Sequence, residues 1–277
     1  MASGSASEVV GAVRMLPLRT PTLAPATHTN SFLVGAGRAI LVEPATPYPD
    51  ELERAIGWVA EERRRGIEPM AIVATHHHPD HIGGARALAS RLALPLWAHR
   101  LTAARVPELA FERLLEDGER IELDGADVRV IHTPGHAPGH VCLLEERSGA
   151  MIAGDMVAGV GTILVEPTDG DMRLYLASLE RMAAAGPSVL LPAHGDPLEP
   201  EATIARYIAH RLERERKVLE ALLRYGGPAS AAELVPTAYD DAPPAVWPLA
   251  ALSTEAHLIK LEVDGHVERI ADRWIAR

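Results

Sequence analysis

The chain has 277 residues, of which 47% are hydrophobic and 23% charged, and its formal net charge is −11. This length and hydrophobic content allow a large buried core. No apolar run approaches the roughly 20 residues that a membrane-spanning helix needs, and the single cysteine, Cys142, excludes an intrachain disulfide. The first seven residues have neither the basic region nor the apolar stretch of an export signal, so we expect a cytoplasmic protein without a membrane segment.

Apolar runs and turn residues predict alternating strands and helices over the first 200 residues. The predicted strands lie near 8–15, 31–35, 39–43, 70–75, 95–98, 119–123, 126–132, 140–145, 150–154 and 188–192. The predicted helices lie near 50–65, 83–93, 107–116 and 171–185. Strands interleaved with helices predict an α/β (α+β) fold in which helices cover the outer faces of two sheets, a four-layer αββα sandwich.

The character of the sequence changes beyond Pro200. Residues 202–225 follow a long helical pattern that Gly226-Gly227-Pro228 ends. Two more helices and a short hairpin near 264–274 are expected after it, and three helices with a wing resemble a winged-helix domain. We therefore expect a catalytic domain over residues 1–200 and a winged-helix-like domain over 201–277.

The run Thr75–His81 concentrates four metal-capable side chains directly after the apolar segment Ala71–Ala74; they are His76, His78, Asp80 and His81. Imidazoles combined with a carboxylate suit zinc, whereas calcium and magnesium favour oxygen ligands alone. Pro79 disfavours helix at the residue before it. We therefore expect these side chains to fan out from an irregular turn that precedes a helix beginning near Gly83 or Gly84, and such a fan can serve two metal ions.

Three further candidate ligands follow apolar runs later in the chain, namely His136, Asp155 and His194. Apolar runs that end at Gly or Pro are typical of buried strands. Loops that leave strand ends converge on one edge of a sheet structure, where rigid strands hold their side chains in place. The sequence therefore predicts a metal site built from four loops.

The set His76-x-His78-x-Asp80-His81, then His136, Asp155 and His194, resembles the metallo-β-lactamase-fold hydrolase superfamily over about residues 10–200. The resemblance implies that the first zinc is held by His76, His78 and His136. It implies that the second is held by Asp80, His81 and His194, and that Asp155 bridges the two. It also gives Asp80 the catalytic task of orienting the attacking water.

Two zinc ions roughly 3.5–4 Å apart bring the pKa of a shared water to about neutral and polarise the substrate oxygen. The favoured function is a binuclear zinc-dependent hydrolase in which metal-bound hydroxide attacks an ester, thioester or lactone-type carbonyl. A small-molecule or acyl-thioester substrate is expected. Iron or manganese are the alternatives to zinc, and the same ligand set suits a di-iron oxidoreductase centre.

Residues 201–277, called the tail from here on, suggest a second hypothesis for the function. The fragments Val246-Trp247-Pro248, Ala256-His257-Leu258 and Lys260-Leu261-Glu262 resemble the β-lactamase-like endoribonuclease group, which implies cleavage of single-stranded RNA by the same dinuclear site. From residue 205 onward, however, ten Lys and Arg face eleven Asp and Glu, and phosphate backbones demand clustered positive charge. A third hypothesis, a non-catalytic binding protein, is opposed by the presence of every ligand residue.

The other polar residues considered are not expected to be metal ligands. His77 is expected to point away from the metals, and His140 either contacts a ligand or substrate or begins a strand. Asn30 is expected to make a turn hydrogen bond, and the tail is expected to wall one side of the active-site cleft. The remaining histidines considered have no ligand-like neighbours and are expected to be structural; they are His28, His99, His132 and His257.

Overall fold

The computed structural model of the chain describes residues 6–277; residues 1–5, where the predicted first domain and the export-signal assessment begin, lie outside the described residues. One sheet has seven strands in chain order: β1 (Ser7–Val10), β2 (Val13–Arg19), β3 (His28–Val34), β4 (Arg38–Val42), β5 (Glu68–Val73), β6 (Leu96–His99) and β7 (Phe111–Leu115). The other has the spatial order β12-β11-β10-β9-β8, with β8 (Arg120–Leu123), β9 (Ala126–His132), β10 (Val141–Glu145), β11 (Ala150–Gly154) and β12 (Val189–Pro192).

Helices connect the parallel strands of both sheets. The sheets are parallel from β4 to β7 and between β11 and β12, and antiparallel elsewhere. Parallel neighbours require a crossover, usually a helix. The helices of these crossovers are α1 (Pro49–Arg64), α2 (Pro79–Ile82), α3 (Ala85–Leu92), α4 (Arg100–Arg105) and α5 (Met172–Ala184).

The α1 helix illustrates how local sequence sets these layers. Pro49 occupies its first turn, where a missing backbone N–H costs nothing, and Arg64 lies at its C-terminal end, where positive charge is favoured. Ala55, Trp58 and Val59 recur at helical spacing and are all buried. This apolar stripe packs on the outer face of the seven-stranded sheet together with α3.

Three apolar clusters define the layers. One lies between the sheets and contains side chains such as Phe32, Val73 and Val130. A second covers the outer face of the first sheet under α1 and α3, and a third covers the outer face of the second sheet under α5. The predicted four-layer αββα sandwich is therefore confirmed.

Three sequence predictions on local structure were wrong in detail. The single strand near 8–15 is two strands, β1 and β2, joined by a turn at Gly11. The helix over 107–116 is the edge strand β7, which pairs in parallel with β6. The Arg113 guanidinium lies 4.6 Å from the ring centre of Trp97 and Leu115 is buried, so cross-strand packing overrides the local helical preference. The irregular turn expected between β5 and a helix near Gly83 covers only residues 74–78, and the one-turn helix α2 follows it over Pro79–Ile82.

The tail consists of three helices and a hairpin, as the sequence predicts. They are α6 (Pro200–Tyr225), α7 (Ala231–Ala238), α8 (Trp247–Val263), β13 (Val267–Ile270) and β14 (Arg273–Ala276). A separate apolar core surrounds the fully buried Trp274. The N-terminal half of α6 instead packs against the second sheet through Ile204 and Tyr207. Among the described residues, no helix combines the length and apolarity needed to cross a membrane.

Candidate metal centre

All seven predicted ligand residues meet at one edge of the two sheets. His76 and His78 follow β5, and α2 carries the next two, Asp80 and His81. The last three follow β9, β11 and β12 respectively: His136, Asp155 and His194. The strand ends thus bring together side chains that lie up to 118 residues apart in sequence.

The side chains form two adjoining groups. In the first, the inner nitrogen of His78, Nδ1, lies 3.1 Å from Nε2 of His76 and 2.9 Å from Nε2 of His136. The second group contains Asp80, His81 and His194, whose ligand atoms lie within 4.8 Å of one another. There Nε2 of His194 lies 3.5 Å from a carboxylate oxygen of Asp80.

Asp155 lies between the two groups. Its Oδ2 is 3.5 Å from Nε2 of His136 in the first group. Its Oδ1 is 3.3 Å from Nε2 of His194 and 3.5 Å from Nε2 of His81 in the second. One carboxylate therefore faces both groups, the arrangement that a bridging ligand requires.

Each of the five histidines has one ring nitrogen, the inner one, that faces the cluster, and a second, the outer one, that lies at hydrogen-bond distance from a protein oxygen. The partners are oxygen atoms of Thr75 for His76, Asp169 for His78, Glu43 for His81, the Leu164 carbonyl for His136 and the His28 carbonyl for His194, at 2.8–3.1 Å. Carbonyl and carboxylate oxygens accept hydrogen bonds, and the Thr75 hydroxyl accepts from His76 because it already donates to Glu43. The outer nitrogen therefore carries a proton, and in the neutral ring the inner nitrogen presents a lone pair. This second layer of contacts fixes the tautomer that metal binding needs.

The ring nitrogens and carboxylate oxygens that face the inside of the cluster form a donor set suited to a cation. The lone pairs of His76, His78 and His136 point at one another without a proton to share between them. In addition, Nε2 of His81 and Oδ1 of Asp155 are buried without a hydrogen-bond partner, which is costly in a folded interior. Divalent cations among these atoms would satisfy all of them, so the donor set fits a metal centre.

The electrostatics of the two groups differ. Burial lowers the pKa of His136 to about 4, because the opposing charge of Asp155 does not outweigh it. Burial also holds the pKa of His76 well below its ordinary value, so both rings are neutral, as ligands must be. For His81, burial is outweighed by the carboxylates of Asp155 and Glu43, which raise its pKa well above the usual range. This part of the centre therefore attracts positive charge strongly.

Two residues around the centre were missed by sequence reasoning. Glu43 is fully buried, and its Oε1 accepts hydrogen bonds from Thr75 Oγ1 at 2.6 Å and from His81 Nδ1 at 3.1 Å. Its backbone has a φ of 62°, a strained value for a residue other than glycine. Glu43 follows the apolar strand β4, so the pattern that identified Asp155 was present here too.

Asp169 is the second missed residue. Its Oδ2 lies 2.9 Å from Nε2 of His78 and 3.2 Å from Nε2 of His77, and Oδ1 lies 3.2 Å from Arg105. Asp169 therefore contacts the outer nitrogen of His78. It also contacts the ring of His77, which points away from the inner cluster as predicted. No strand ends directly before Asp169, since β11 already ends at Gly154, so no pattern marks it.

His140 and Asn30 hold candidate ligands in place from outside the inner cluster. The His140 Nε2 accepts the backbone N–H of Asp155 at 3.0 Å, while its Nδ1 lies 2.8 Å from the Thr133 hydroxyl. A side chain at Gly154 would approach Nε2 of His140 to 2.4 Å, so glycine is required there. The Asn30 side-chain amide donates to the carbonyls of Pro192 and Gly195 at 3.0 and 2.8 Å, which fixes the loop of His194 instead of making the predicted turn.

The four histidines that were expected to be structural contact protein groups outside the inner cluster. His28 contributes its backbone carbonyl, as described above, and its ring lies 2.7 Å from the Thr27 hydroxyl. His99 and His132 stack with their ring centres 4.1 Å apart. His257 is buried in the tail, 3.5 Å from Glu215. None of these four belongs to the groups of metal-capable side chains found in residues 6–277.

The centre opens into a cleft with a volume of about 720 Å³. Three structures form its walls: the loop Pro21–Ala26 between β2 and β3, the loop that follows Asp155, and the tail. The tail contributes side chains from α6, α8 and the segment between α7 and α8, including Arg211, Arg214, Val246 and Leu249. One wall of the cleft therefore comes from the tail, as expected.

Comparison with known families agrees with this site. The model of the metallo-beta-lactamase superfamily matches residues 24–194, and that of the beta-lactamase associated winged helix domain matches residues 230–274. The beta-lactamase-like protein 2 homolog of Drosophila melanogaster is 33% identical over 258 residues, which cover 88% of this chain and 86% of the relative. The lactamase-like protein nscB of Trichophyton rubrum is 35% identical over 202 residues, covering 71% of this chain and 58% of that protein.

Solved structures show the same architecture over nearly the whole chain. A metallo-beta-lactamase family protein from Thermus thermophilus superposes with a TM-score of 0.80 at 26% identity, covering 96% of this chain and 99% of the other. A beta-lactamase domain protein from Burkholderia ambifaria gives a TM-score of 0.86 at 24% identity, covering 100% and 94%. With a His and Asp cluster able to bind metal at the expected strand ends, the chain belongs to the metallo-beta-lactamase superfamily and carries a beta-lactamase-associated winged-helix domain.

Proposed function

We propose that the protein is a binuclear zinc-dependent hydrolase of an ester, thioester or lactone-type carbonyl. The observation that carries this proposal is the convergence of seven His and Asp side chains at the floor of a cleft with mainly apolar walls. A cleft of about 720 Å³ lies within the range of small-molecule sites, roughly 300–1,000 Å³. An acyl group of moderate length fits such walls.

The residues divide the work as follows. One zinc would be held by His76, His78 and His136. The other would be held by Asp80, His81 and His194, and both would be held by Asp155. When bound, this pair of ions supplies Lewis acidity toward a carbonyl oxygen and hydroxide at neutral pH. Asp80 is half-buried and lines the cleft, which supports the proposal that its carboxylate would accept a hydrogen bond from the attacking water and orient it. Glu43 and Asp169 keep the imidazole rings in the required orientation.

Carbonyl chemistry is favoured over cleavage of RNA by the charge of the cleft walls. The Arg214 guanidinium is paired with Asp241 at 3.0 Å. Among the described residues that line the cleft, this leaves Arg211 as a single arginine without a carboxylate partner, which is not the clustered positive charge that a chain of phosphates requires. The net charge of the tail is close to zero, which also argues against binding of RNA. The names of the relatives, lactamase-like proteins, also point toward attack at a carbonyl.

The division of the chain is part of the proposal. Residues 1–200 would form the catalytic domain, and residues 201–277 the winged-helix-like domain that shapes the cleft. The cytoplasmic location expected from the sequence stays a prediction, as does the choice of zinc over iron or manganese.

The proposal is tested by turnover of a generic acyl thioester and of a labelled single-stranded RNA by zinc-loaded protein. We expect thioester hydrolysis, and we expect His136→Ala and Asp80→Ala to reduce kcat/KM by a factor of about 100 or more. His266→Ala, which alters an exposed histidine of the tail, is the matched control and should retain wild-type turnover.

Two outcomes would contradict the proposal. Cleavage of RNA without hydrolysis of the thioester would replace it with the ribonuclease hypothesis. Hydrolysis by protein stripped with a chelator, at the rate of the zinc-loaded protein, would exclude the metal mechanism altogether.

A further inference from the structure

Arg211 is a buried cation in the wall of the catalytic cleft. It belongs to α6, is only 3% exposed and lines the same cavity as Asp80, His136 and His194. One of its terminal nitrogens, Nη2, donates to the backbone carbonyl of Ile163. Its Nε is buried and has no acceptor.

The positive charge of Arg211 is not balanced by a carboxylate. Within residues 6–277, no Asp or Glu forms an ion pair with it, whereas its neighbour Arg214 pairs with Asp241 through two nitrogens. The guanidinium group also lies 5.1 Å from the ring centre of Tyr175, whose hydroxyl is a further hydrogen-bond partner. These neutral partners offset only part of the cost of burying a charge, and a buried charge without an opposite charge is otherwise rare.

The surroundings of Arg211 add to the positive charge. Burial, Arg211 and Arg214 all hold the pKa of the nearby His210 below its ordinary value, as expected close to two cations. A cleft with a positive charge in one wall, and apolar surface between that wall and the candidate metal centre, suits an amphipathic anion.

From these contacts we infer that Arg211 recognises an anionic group of the substrate, a carboxylate or a phosphate, while the scissile carbonyl lies at the metal centre. This inference rests on the proposed carbonyl hydrolase function and narrows its substrate class. The substrate is then an acyl ester or thioester with an apolar chain and a single anionic group at a distance from the bond that is cleaved.

A purely structural role for Arg211 is the competing explanation. The Ile163 carbonyl that it binds precedes Leu164, whose carbonyl accepts from the ligand His136. Loss of Arg211 could therefore loosen the metal centre. That role predicts an equal loss of activity for neutral and anionic substrates and a fall in metal content, whereas anion recognition predicts a change in their ratio.

The experiment compares three thioesters with the zinc-loaded protein: octanoyl-pantetheine, which is neutral; suberyl-pantetheine, with a carboxylate on an acyl chain of the same length; and octanoyl-phosphopantetheine, with a phosphate on the thiol arm. We expect one of the two anions to exceed the neutral compound at least tenfold in kcat/KM, mainly through KM, which also shows which arm carries the charge. Equal values for all three compounds would overturn the inference, and this comparison needs no variant.

Variants then assign the preference to Arg211. In Arg211→Gln the preference for the anion should fall at least tenfold, and in Arg211→Lys, which keeps the charge, part of it should remain. Arg216→Gln alters an exposed arginine of α6 that pairs with Glu213 and Glu220 and should keep the full preference. A Gln variant that folds, retains its metal and still prefers the anion would contradict the assignment.

Equilibrium binding separates this inference from the proposed function. Unreactive thioether analogues of the three compounds are titrated into the zinc-loaded protein by calorimetry, a measurement that needs no turnover. If no thioester is hydrolysed but the anionic analogue binds at least tenfold more tightly than the neutral one, only the proposed reaction fails. If the three analogues bind equally, Arg211 does not recognise an anion.

Discussion

At the scale of single residues, the candidate metal centre depends on side chains outside the inner cluster. Each of the five candidate histidine ligands has a hydrogen bond on its outer nitrogen that fixes its orientation, and two of these bonds end on carboxylates, Glu43 and Asp169. Burial would raise the pKa of Asp169, but hydrogen bonds from His77 and His78 outweigh it and hold the pKa well below its usual value. The charged form of Asp169 is thus the one that positions His78.

Replacing Asp169 by alanine should weaken metal binding by about 10–100-fold, because His78 loses the acceptor that fixes its tautomer. The dissociation constant for zinc can be measured by competition with a chromophoric chelator. Thr168→Ala is the control on the same loop, since the exposed Thr168 hydroxyl donates to Glu166 and, within residues 6–277, to no other side chain. Equal zinc affinity of the Asp169→Ala variant and the wild type would show that His78 needs no such support.

The seven candidate ligands were predictable because each follows a strand or the turn directly after one, and strand ends meet at a sheet edge. Asp169 was not predictable, since it approaches His78 only through the folded path of the loop after Asp155. The place of Arg211 in the cleft was not predictable either, because the helical pattern of residues 202–225 does not show which face of α6 the cleft covers. Second-layer contacts of this kind depend on three-dimensional packing rather than on spacing.

At the scale of secondary-structure elements, the start of α4 is capped by a titratable side chain. His99 ends β6, and its Nδ1 accepts the backbone N–H of Leu101 at 3.3 Å, which caps the helix. Burial, His132 and Arg100 lower the pKa of His99 to about 4. Only the neutral ring can accept this hydrogen bond, so protonation removes the cap.

The free energy of unfolding should therefore fall as the pH drops from about 6.5 to about 4. The unfolded chain takes up a proton at His99 near its ordinary pKa while the folded protein does not, so acid favours unfolding in this window. His99→Asn keeps a capping acceptor without the titration. Urea unfolding at several pH values should show a shallower loss of stability for the variant than for the wild type; parallel curves would exclude His99 as a contributor, since acid weakens metal binding in both proteins.

The edge strand β7 shows where element prediction fails. Residues 107–116 have helix-forming Glu, Leu and Arg, but Phe111–Leu115 pairs with β6 and buries Leu115. Strong elements such as α1 and α6 were predictable from their own periodicity. A short edge strand depends on a neighbour that the local sequence does not reveal.

At the scale of the whole molecule, the tail and the catalytic layers share a core. Ile204 and Tyr207 of α6 and Ala256 of α8 belong to the apolar cluster on the outer face of the second sheet. The Tyr207 hydroxyl also accepts the backbone N–H of Ala158 at 2.8 Å, in the loop that follows Asp155. The tail is thus joined to the loop that lines the cleft.

Truncation after Glu199 should give an unstable protein, because it uncovers this apolar surface and removes one wall of the cleft. We expect binding of a hydrophobic dye, loss of soluble yield and a lower melting temperature than that of the full chain. A soluble 1–199 fragment with the melting temperature and metal content of the full chain would show that the tail is a separate module.

The central claim is that seven His and Asp side chains hold two divalent cations, and the most direct test is metal stoichiometry. Elemental mass spectrometry of protein equilibrated with zinc and freed of excess metal should give two ions per chain, falling to about one or less in His136→Ala and Asp155→Ala. The His266→Ala control should remain at two. Wild-type protein that binds no zinc, iron or manganese, or ligand variants that bind as much metal as the wild type, would contradict the account.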